Sequence, residues 1–172
     1  VIYDPEDVGA MLWKWLPRNE DFQDLRSWRE LVVATAVSLR RHHASTLIVP
    51  MSLIRDAYRS EILDGLADSG EEVLHVFLNA DGDELKRRLQ ARGAPPNTAV
   101  SADAIREWAF SRTDKAVAAA GRQPKETLVL RSDQLSPARL ADQVLAAVDD
   151  RLTFQPPGAS SVVGPRVFVV LG

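Results

Sequence analysis

Short, unbroken apolar runs alternate with segments of helical period along this chain. That alternation restricts the fold more than any other feature of the sequence. "STLIVPMS" (45–52), "VLHVFLN" (73–79), "TLVLR" (127–131) and "RVFVVLG" (166–172) carry almost no polar face. Strands of that kind are buried on both sides and need helices above and below them. The intervening segments supply those helices. Val8, Met11, Leu12, Trp15 and Leu16 recur at helical spacing, as do Leu25, Trp28, Val32, Ala36 and Leu39. Ile54, Tyr58, Ile62 and Leu66 make a third stripe, and Leu140, Val144, Leu145 and Val148 another. "DELKRRLQAR" (83–92) and the stretch from about Ser101 to Ala120 add two more helices. Parallel strands need such crossovers, so the expected class is α/β, a mostly parallel sheet flanked by helices.

Local punctuation agrees. Asp4 offers an N-cap oxygen, Pro5 a first-turn proline, and Glu6 and Asp7 suit the positive helix start. Pro17 ends that helix, and Gly70, Gly93 and Gly121 stand where C-cap glycines belong. Ser136-Pro137 opens the last helix. "GAPPNTAV" (93–100) is a loop, and "QPPGASSVVGP" (155–165) reads as a linker. The expected organisation is a domain over 1–154, a linker over 155–165 and an extra strand over 166–172.

Composition narrows the function. The 172 residues carry a net charge of -3 with both signs interspersed, which argues against a nucleic-acid binder. The absence of cysteine excludes disulfides, thiol catalysis and cysteine-based zinc sites, and fits a cytoplasmic protein. No apolar run approaches the roughly 20 residues of a membrane span. Composition says nothing of the oligomeric state.

Ligands of open parallel sheets lie beyond the carboxyl ends of the strands. Asp4-Pro5-Glu6, Pro50-Met51-Ser52 and Asn79 to Asp83 project there. Carboxylates at such an edge orient a hydroxyl, take its proton or hold magnesium. Spacing alone favours the plainer account, in which Asp4 only caps a helix. Lys86, Arg87, Arg88 and Arg92 form the dense basic cluster, with Arg88 and Arg92 on one helix face. Such arginines close over a polyphosphate, or simply make a solvated face. Arg106 and Arg112 lie on the next helix. Trp15 and Trp28 fall on apolar stripes and are expected in the core. Trp13 lies off its stripe, where it either stacks on a ring or is exposed. His75 alternates along a strand and is expected to be a core residue. No glycine-rich phosphate loop of the G-x-x-x-x-G-K-[ST] type is present.

"YDPEDVG", "RSWRELV", "STLIVPMS", "VFLNADGDELKRRLQARG" and "VLRSDQLSPARLADQVLAAV" resemble, in order, the tunicamycin-resistance proteins. These are small P-loop phosphotransferase-like proteins related in fold to shikimate and nucleoside kinases. The resemblance covers about Val1 to Phe154. It implies a P-loop NTPase, nucleoside-kinase-like fold without its first strand and phosphate loop, and a chain that as given does not turn over ATP. Asp4 and Glu6 match the family's acidic motif and would bind or activate the acceptor, with Glu6 a weaker candidate for the metal and Trp13 for substrate contact. Arg88 and Arg92 match lid arginines that meet ATP phosphates, and Arg112 a second basic residue returning from the lid. Pro50 stands where many relatives of the fold carry a metal-binding Asp.

The implied function is an ATP-dependent, magnesium-requiring phosphotransferase acting on a small molecule and linked to resistance to a nucleoside antibiotic such as tunicamycin. Two alternatives stand beside it: a resistance protein that binds ATP or drug without chemistry, and a kinase of another small metabolite. Such sheets run in the order 2-3-1-4-5. "RVFVVLG" is then expected to open a separate domain, or else to fill the vacant central slot by pairing with both neighbouring strands.

Overall fold

The computed structural model describes residues 1–17, 21–43, 46–91, 101–153 and 167–171. Its elements run α1 (Glu6–Leu12), a 3₁₀ turn (Phe22–Asp24), α2 (Arg26–His43), β1 (Leu47–Pro50), α3 (Asp56–Asp68) and β2 (Glu72–Asn79). After these come α4 (Gly82–Ala91), α5 (Ala102–Ala120), β3 (Leu128–Arg131), α6 (Pro137–Thr153) and β4 (Val167–Leu171). No helix among the described residues is long and apolar enough to cross a membrane.

The sheet has the order β1-β4-β2-β3, and every pairing is parallel. The chain start lengthens it by one position. Ile2 bridges to Ile48, with Tyr3 N donating to Ile48 O at 2.9 Å and Ile48 N donating to Val1 O at 2.8 Å. The expectation for Val167–Leu171 leaned toward a separate domain. In the structure it pairs on both sides, with Leu47↔Phe168 through Pro50↔Leu171 on one and Glu72↔Val167 through Val76↔Leu171 on the other. That is the geometry of a filled central slot.

Alternation along the strands sends residues to two faces. Leu47 and Val49 of β1 meet Trp28, Val32, Ile62 and Leu66 from α2 and α3. Leu74 and Val76 of β2, with Leu130 of β3, meet Leu140, Val144 and Val148 of α6. Leu145, expected on that stripe, is exposed instead. Trp28 is 2% exposed, as expected, and its indole N–H donates to the Pro5 carbonyl at 3.0 Å. Trp15 corrects the reading: it is 71% exposed. α1 closes at Leu12, and the chain turns through Trp13 to Leu16, so the helical stripe stops before Trp15 reaches the core.

Some helix ends fall where the sequence places them; α1, however, closes at Leu12 rather than at Pro17, and Gly93 lies outside the described residues. Ser101 accepts from Ala104 N at 3.2 Å, and Ser136 from Arg139 N at 3.3 Å. Gly70 has φ of 79°, the left-handed conformation that a residue with a Cβ resists.

Two buried polar arrangements fix how elements meet. Arg40, in the last turn of α2, is ion-paired with Glu71 just before β2, and their side chains are 3% and 5% exposed. His75 lies in the core face of β2, with Nδ1 3.0 Å from Thr127 Oγ1. Burial, and then the charge of Arg59, hold the imidazole pKa down at about 4.

Two outcomes follow. Removing either partner of the Arg40–Glu71 pair leaves a lone buried charge. Arg40→Ala or Glu71→Ala is expected to lose about 3–5 kcal/mol in urea unfolding, while Arg40→Met with Glu71→Leu loses far less. For His75 the unfolded chain takes up a proton first, because its pKa is near 6.5 there and about 4 in the fold. Stability is therefore full above pH 6.5 and falls as pH drops toward 4, by on the order of 2 kcal/mol once residual solvent access is allowed for. Urea midpoints should show that loss, and His75→Leu should flatten the curve between pH 6.5 and 4.

Candidate functional site

Because all strands are parallel, their carboxyl ends form one rim. Asp4 follows the first strand position, Met51 and Ser52 follow β1, Ala80 and Asp81 follow β2, and Ser132 and Asp133 follow β3. The carboxyl end of β4, at Leu171, is in the middle of that rim. Asp4 and the end of β3 are separated by four strand spacings, roughly 19 Å.

Asp4 is exposed, and its Oδ1 accepts from Glu6 N at 2.9 Å. Its carbonyl accepts from Asp7 N at 3.3 Å, and Pro5 already has helical φ and ψ. The residue therefore does start the helix. Its carboxylate also borders the rim. Glu6 is exposed in the first turn of α1.

Trp13 follows the last residue of α1 and meets Phe22 of the 3₁₀ turn, with ring centroids 4.1 Å apart and planes tilted by 45°. The Phe22 ring also covers Gly9, where a Cβ would come within 2.4 Å of it. Only glycine allows that approach. Phe22 is thereby clamped between α1 and the turn that follows it. Trp13 thus packs, half-buried, on a ring of its own chain.

The 3₁₀ turn is pinned to the rim by polar contacts that spacing does not reveal. Gln23 Nε2 donates to the Ser52 carbonyl at 2.8 Å, directly after β1. Asp21 Oδ1 accepts from Gln23 N at 3.0 Å, and Asp21 Oδ2 pairs with Arg112 Nη2 at 2.7 Å. Arg112 comes from the middle of α5 and also stacks over the Trp108 ring, 4.7 Å from its centroid. Arg55 is ion-paired with Asp24, and Tyr58 Oη donates to the same carboxylate at 3.1 Å. Arg112, a candidate for phosphate contact, is thus held on the Asp4 side of the rim.

The other half of the rim centres on Arg88. Its Nε donates to Glu84 Oε1 at 2.7 Å, Nη1 to Ser132 Oγ at 3.1 Å and Nη2 to the Ser132 carbonyl at 2.7 Å. Hydrogen bonds from Arg87, then Arg88, lower the Glu84 pKa to about 2. Asp133 accepts from Asp81 N at 3.0 Å and from Nε and Nη2 of Arg131, a bidentate pair that holds its carboxyl well below the usual range. The loops after β2 and β3 are locked together by these bonds and by Ser132 N donating to the Asn79 carbonyl at 2.8 Å. Arg92 lies outside the described residues.

Sequence reasoning missed Asp21, Ser132 and Asp133. Asp21 sits in a short connection whose partner is 91 positions away. Ser132 and Asp133 do carry a signal, since polar residues directly after a buried parallel strand fall on the ligand-bearing edge. Among the described residues no group of three or more His, Asp or Glu side chains could hold a metal ion by itself. Magnesium is usually held by one or two carboxylates together with phosphate oxygens.

No protein-family model matches the chain, and no curated protein matches it. Among solved structures it is similar to the tunicamycin resistance protein of Deinococcus radiodurans. The two are 25% identical with a TM-score of 0.66, and the match covers 91% of this chain and 85% of the other.

The Asp21–Arg112 pair is the tie between α5 and the Asp4 half of the rim, with side chains 11% and 24% exposed. Asp21→Asn preserves the cap and removes the charge. It is expected to cost about 1–2 kcal/mol, between the values of exposed and buried pairs. A double-mutant cycle with Arg112→Gln should return a coupling of about 1 kcal/mol. A coupling near zero would show that the pair does not hold α5 in place.

Proposed function

We propose that this chain is the kinase-like domain of an ATP-dependent small-molecule phosphotransferase that confers resistance to a nucleoside antibiotic such as tunicamycin. The observation that carries the resistance part of the reading is the structural likeness to the D. radiodurans tunicamycin resistance protein over 91% of the chain. The parallel sheet supports it, with a carboxylate at one end of the rim and an oriented guanidinium at the other.

ATP, when bound, supplies the transferable phosphoryl group. The chain's own residues supply position and charge, which is most of what phosphoryl transfer asks of a protein. Asp4, exposed beside the rim, positions the acceptor hydroxyl and takes its proton. Glu6, in the first turn of α1, supports it and would be the residue to hold magnesium, which would supply positive charge to the phosphates. Trp13, backed by Phe22, offers an aromatic edge to the acceptor. Arg88 holds positive charge in a fixed orientation, because Glu84 and Ser132 occupy three of its donors. At the far end of the rim from Asp4, that charge would hold a nucleotide phosphate rather than act at the acceptor oxygen. Arg92 adds to the cationic side in this reading, and Arg112, on the Asp4 side, meets a phosphate after giving up Asp21.

The direct test incubates the gene product containing this chain with tunicamycin, ATP and magnesium. The drug should gain the mass of one phosphoryl group, and expression should protect a sensitive bacterium. Drug that binds but keeps its mass would replace the reading with sequestration. Phosphorylation of other small metabolites, with the drug untouched, would replace it with an ordinary metabolite kinase. Asp4→Asn keeps the helix cap, since asparagine caps as well as aspartate. It should leave ATP binding within about twofold and lower transfer by about 10²–10⁴-fold. Unchanged turnover would remove Asp4 from the chemistry.

A further inference from the structure

We infer that Asp21 is a gate on Arg112. An anion entering the rim displaces the Asp21 carboxylate, and the displacement passes through Phe22 to α1, which carries Asp4 and Glu6 at its start. The inference deepens the proposed function and rests on its reading that Arg112 meets a phosphate. Three observations carry it.

First, the hold of Asp21 on Arg112 is releasable. It is a single bond, from Nη2 to Asp21 Oδ2 at 2.7 Å, and Nε and Nη1 of Arg112 have no hydrogen-bond partner among the described residues. Donors on the guanidinium are therefore open to a second acceptor. Arg131 gives the contrast, because it grips Asp133 through both Nε and Nη2. Paired bonds of that kind are stronger and fix the geometry, whereas a single bond exchanges partners more easily. Trp108 backs the Arg112 guanidinium, so the cation keeps its place when the carboxylate leaves.

Second, the 3₁₀ turn divides into a fixed half and a gated half. Gln23 is fastened to the end of β1 through Ser52 and to α2 through Arg29. Asp24 is held by Arg55 and Tyr58. None of these contacts involves Arg112. Asp21 does depend on it: one carboxylate oxygen caps the turn at Gln23 N, and the other takes Arg112. An anion and this carboxylate compete for one cation while repelling each other, so the carboxylate swings out as the anion binds. Phe22, the next residue, moves with it.

Third, Phe22 meets α1 where there is no slack. Its ring covers Gly9 so closely that only glycine fits, and it stacks on Trp13 with centroids 4.1 Å apart. A shift of the ring is therefore felt along α1, whose first turn holds Glu6 and is capped through Asp4. Contiguous packing supplies a route, and the coupling itself is what has to be measured.

The probe is inorganic tripolyphosphate, titrated calorimetrically into the gene product containing this chain. With the gate shut in most molecules, apparent affinity is reduced by the fraction in which Arg112 is free. Asp21→Asn keeps the cap and removes the charge, so it should bind tripolyphosphate about 5–10-fold more tightly, although its fold is less stable. Asp21→Glu retains the charge and should stay within about twofold of the native chain. Adding Arg112→Gln should cancel the gain. A tie that serves only the fold gives the opposite sign, weaker binding in the less stable variant, and that result overturns the inference. Asp24→Asn removes the same charge from the same turn without touching Arg112. An equal gain there would reduce the effect to bulk charge and overturn the gate.

The relay is read from Trp13 after Trp15 and Trp108 are replaced by phenylalanine, which leaves Trp28 as a buried background. Saturating tripolyphosphate should move the Trp13 emission to the red as Phe22 withdraws, and Arg112→Gln should show the moved spectrum without anion. An unmoved spectrum overturns the passage to α1, and it decides alone if Asp21→Asn does not fold. No tripolyphosphate binding by any of these chains overturns the inference as well. Tightening in Asp21→Asn with no phosphoryl gain on the drug would keep the gate and reject the proposed function. Transfer to the drug with no tightening would do the reverse.

Discussion

Backbone pairing along β4 is the interaction on which the rest of the structure depends. Without it, β1 and the bridge from Ile2 would form one half of the sheet and β2 with β3 the other, sharing no strand contact. Buried backbone groups that lose their partners are costly, so a central strand is held from both sides or not at all. The two cores inherit this. The cluster around Trp28, Leu47 and Ile62 forms on one face, and the cluster around Leu74, Val76 and Leu130 on the other. Both faces exist as continuous surfaces only because β4 joins them.

The rim has the same dependence. Asp4 belongs to the half carried by β1, and Arg88 with Ser132 to the half carried by β2 and β3. Each half is rigid for its own reason. Phe22, Gln23 and Asp21 fasten the Asp4 side through an aromatic clamp, a bond to Ser52 and an ion pair. Asp133, Asp81 and Arg88 fasten the basic side through a mesh of backbone and guanidinium bonds. α5 spans the two, packed on α4 at one side and tied through Arg112 to Asp21 at the other. A ligand lying across the rim would meet carboxylate at one end and guanidinium at the other.

Much of the fold was legible because its signals are local. Unbroken apolar runs marked the strands, and Ser101, Ser136 and Gly70 marked helix ends at the residues where caps form. Trp28 and Trp15 show where periodicity stops being informative. Both lie on stripes of helical spacing, but a stripe predicts burial only while the helix lasts, and α1 closes at Leu12. The parallel order around β4 was legible only as one of two options, since an apolar run does not disclose its neighbours. Asp4 and Arg88 could be placed on the ligand-bearing edge because strand ends can be read. Asp21, Arg40 and Glu71 could not be foreseen, because their significance comes from partners distant in sequence and close in space.

The paired Arg40 and Glu71 also constrain how this chain can change over time. Each is tolerable only in the company of the other, in a site almost closed to water. A lineage that alters one position first must pass through a form with an isolated ion in its interior, and selection would discard that form. The two codons are therefore expected to drift as a unit, either both retained or both exchanged for apolar residues. The junction of α2 with β2 would then carry a correlated signature in any set of descendants.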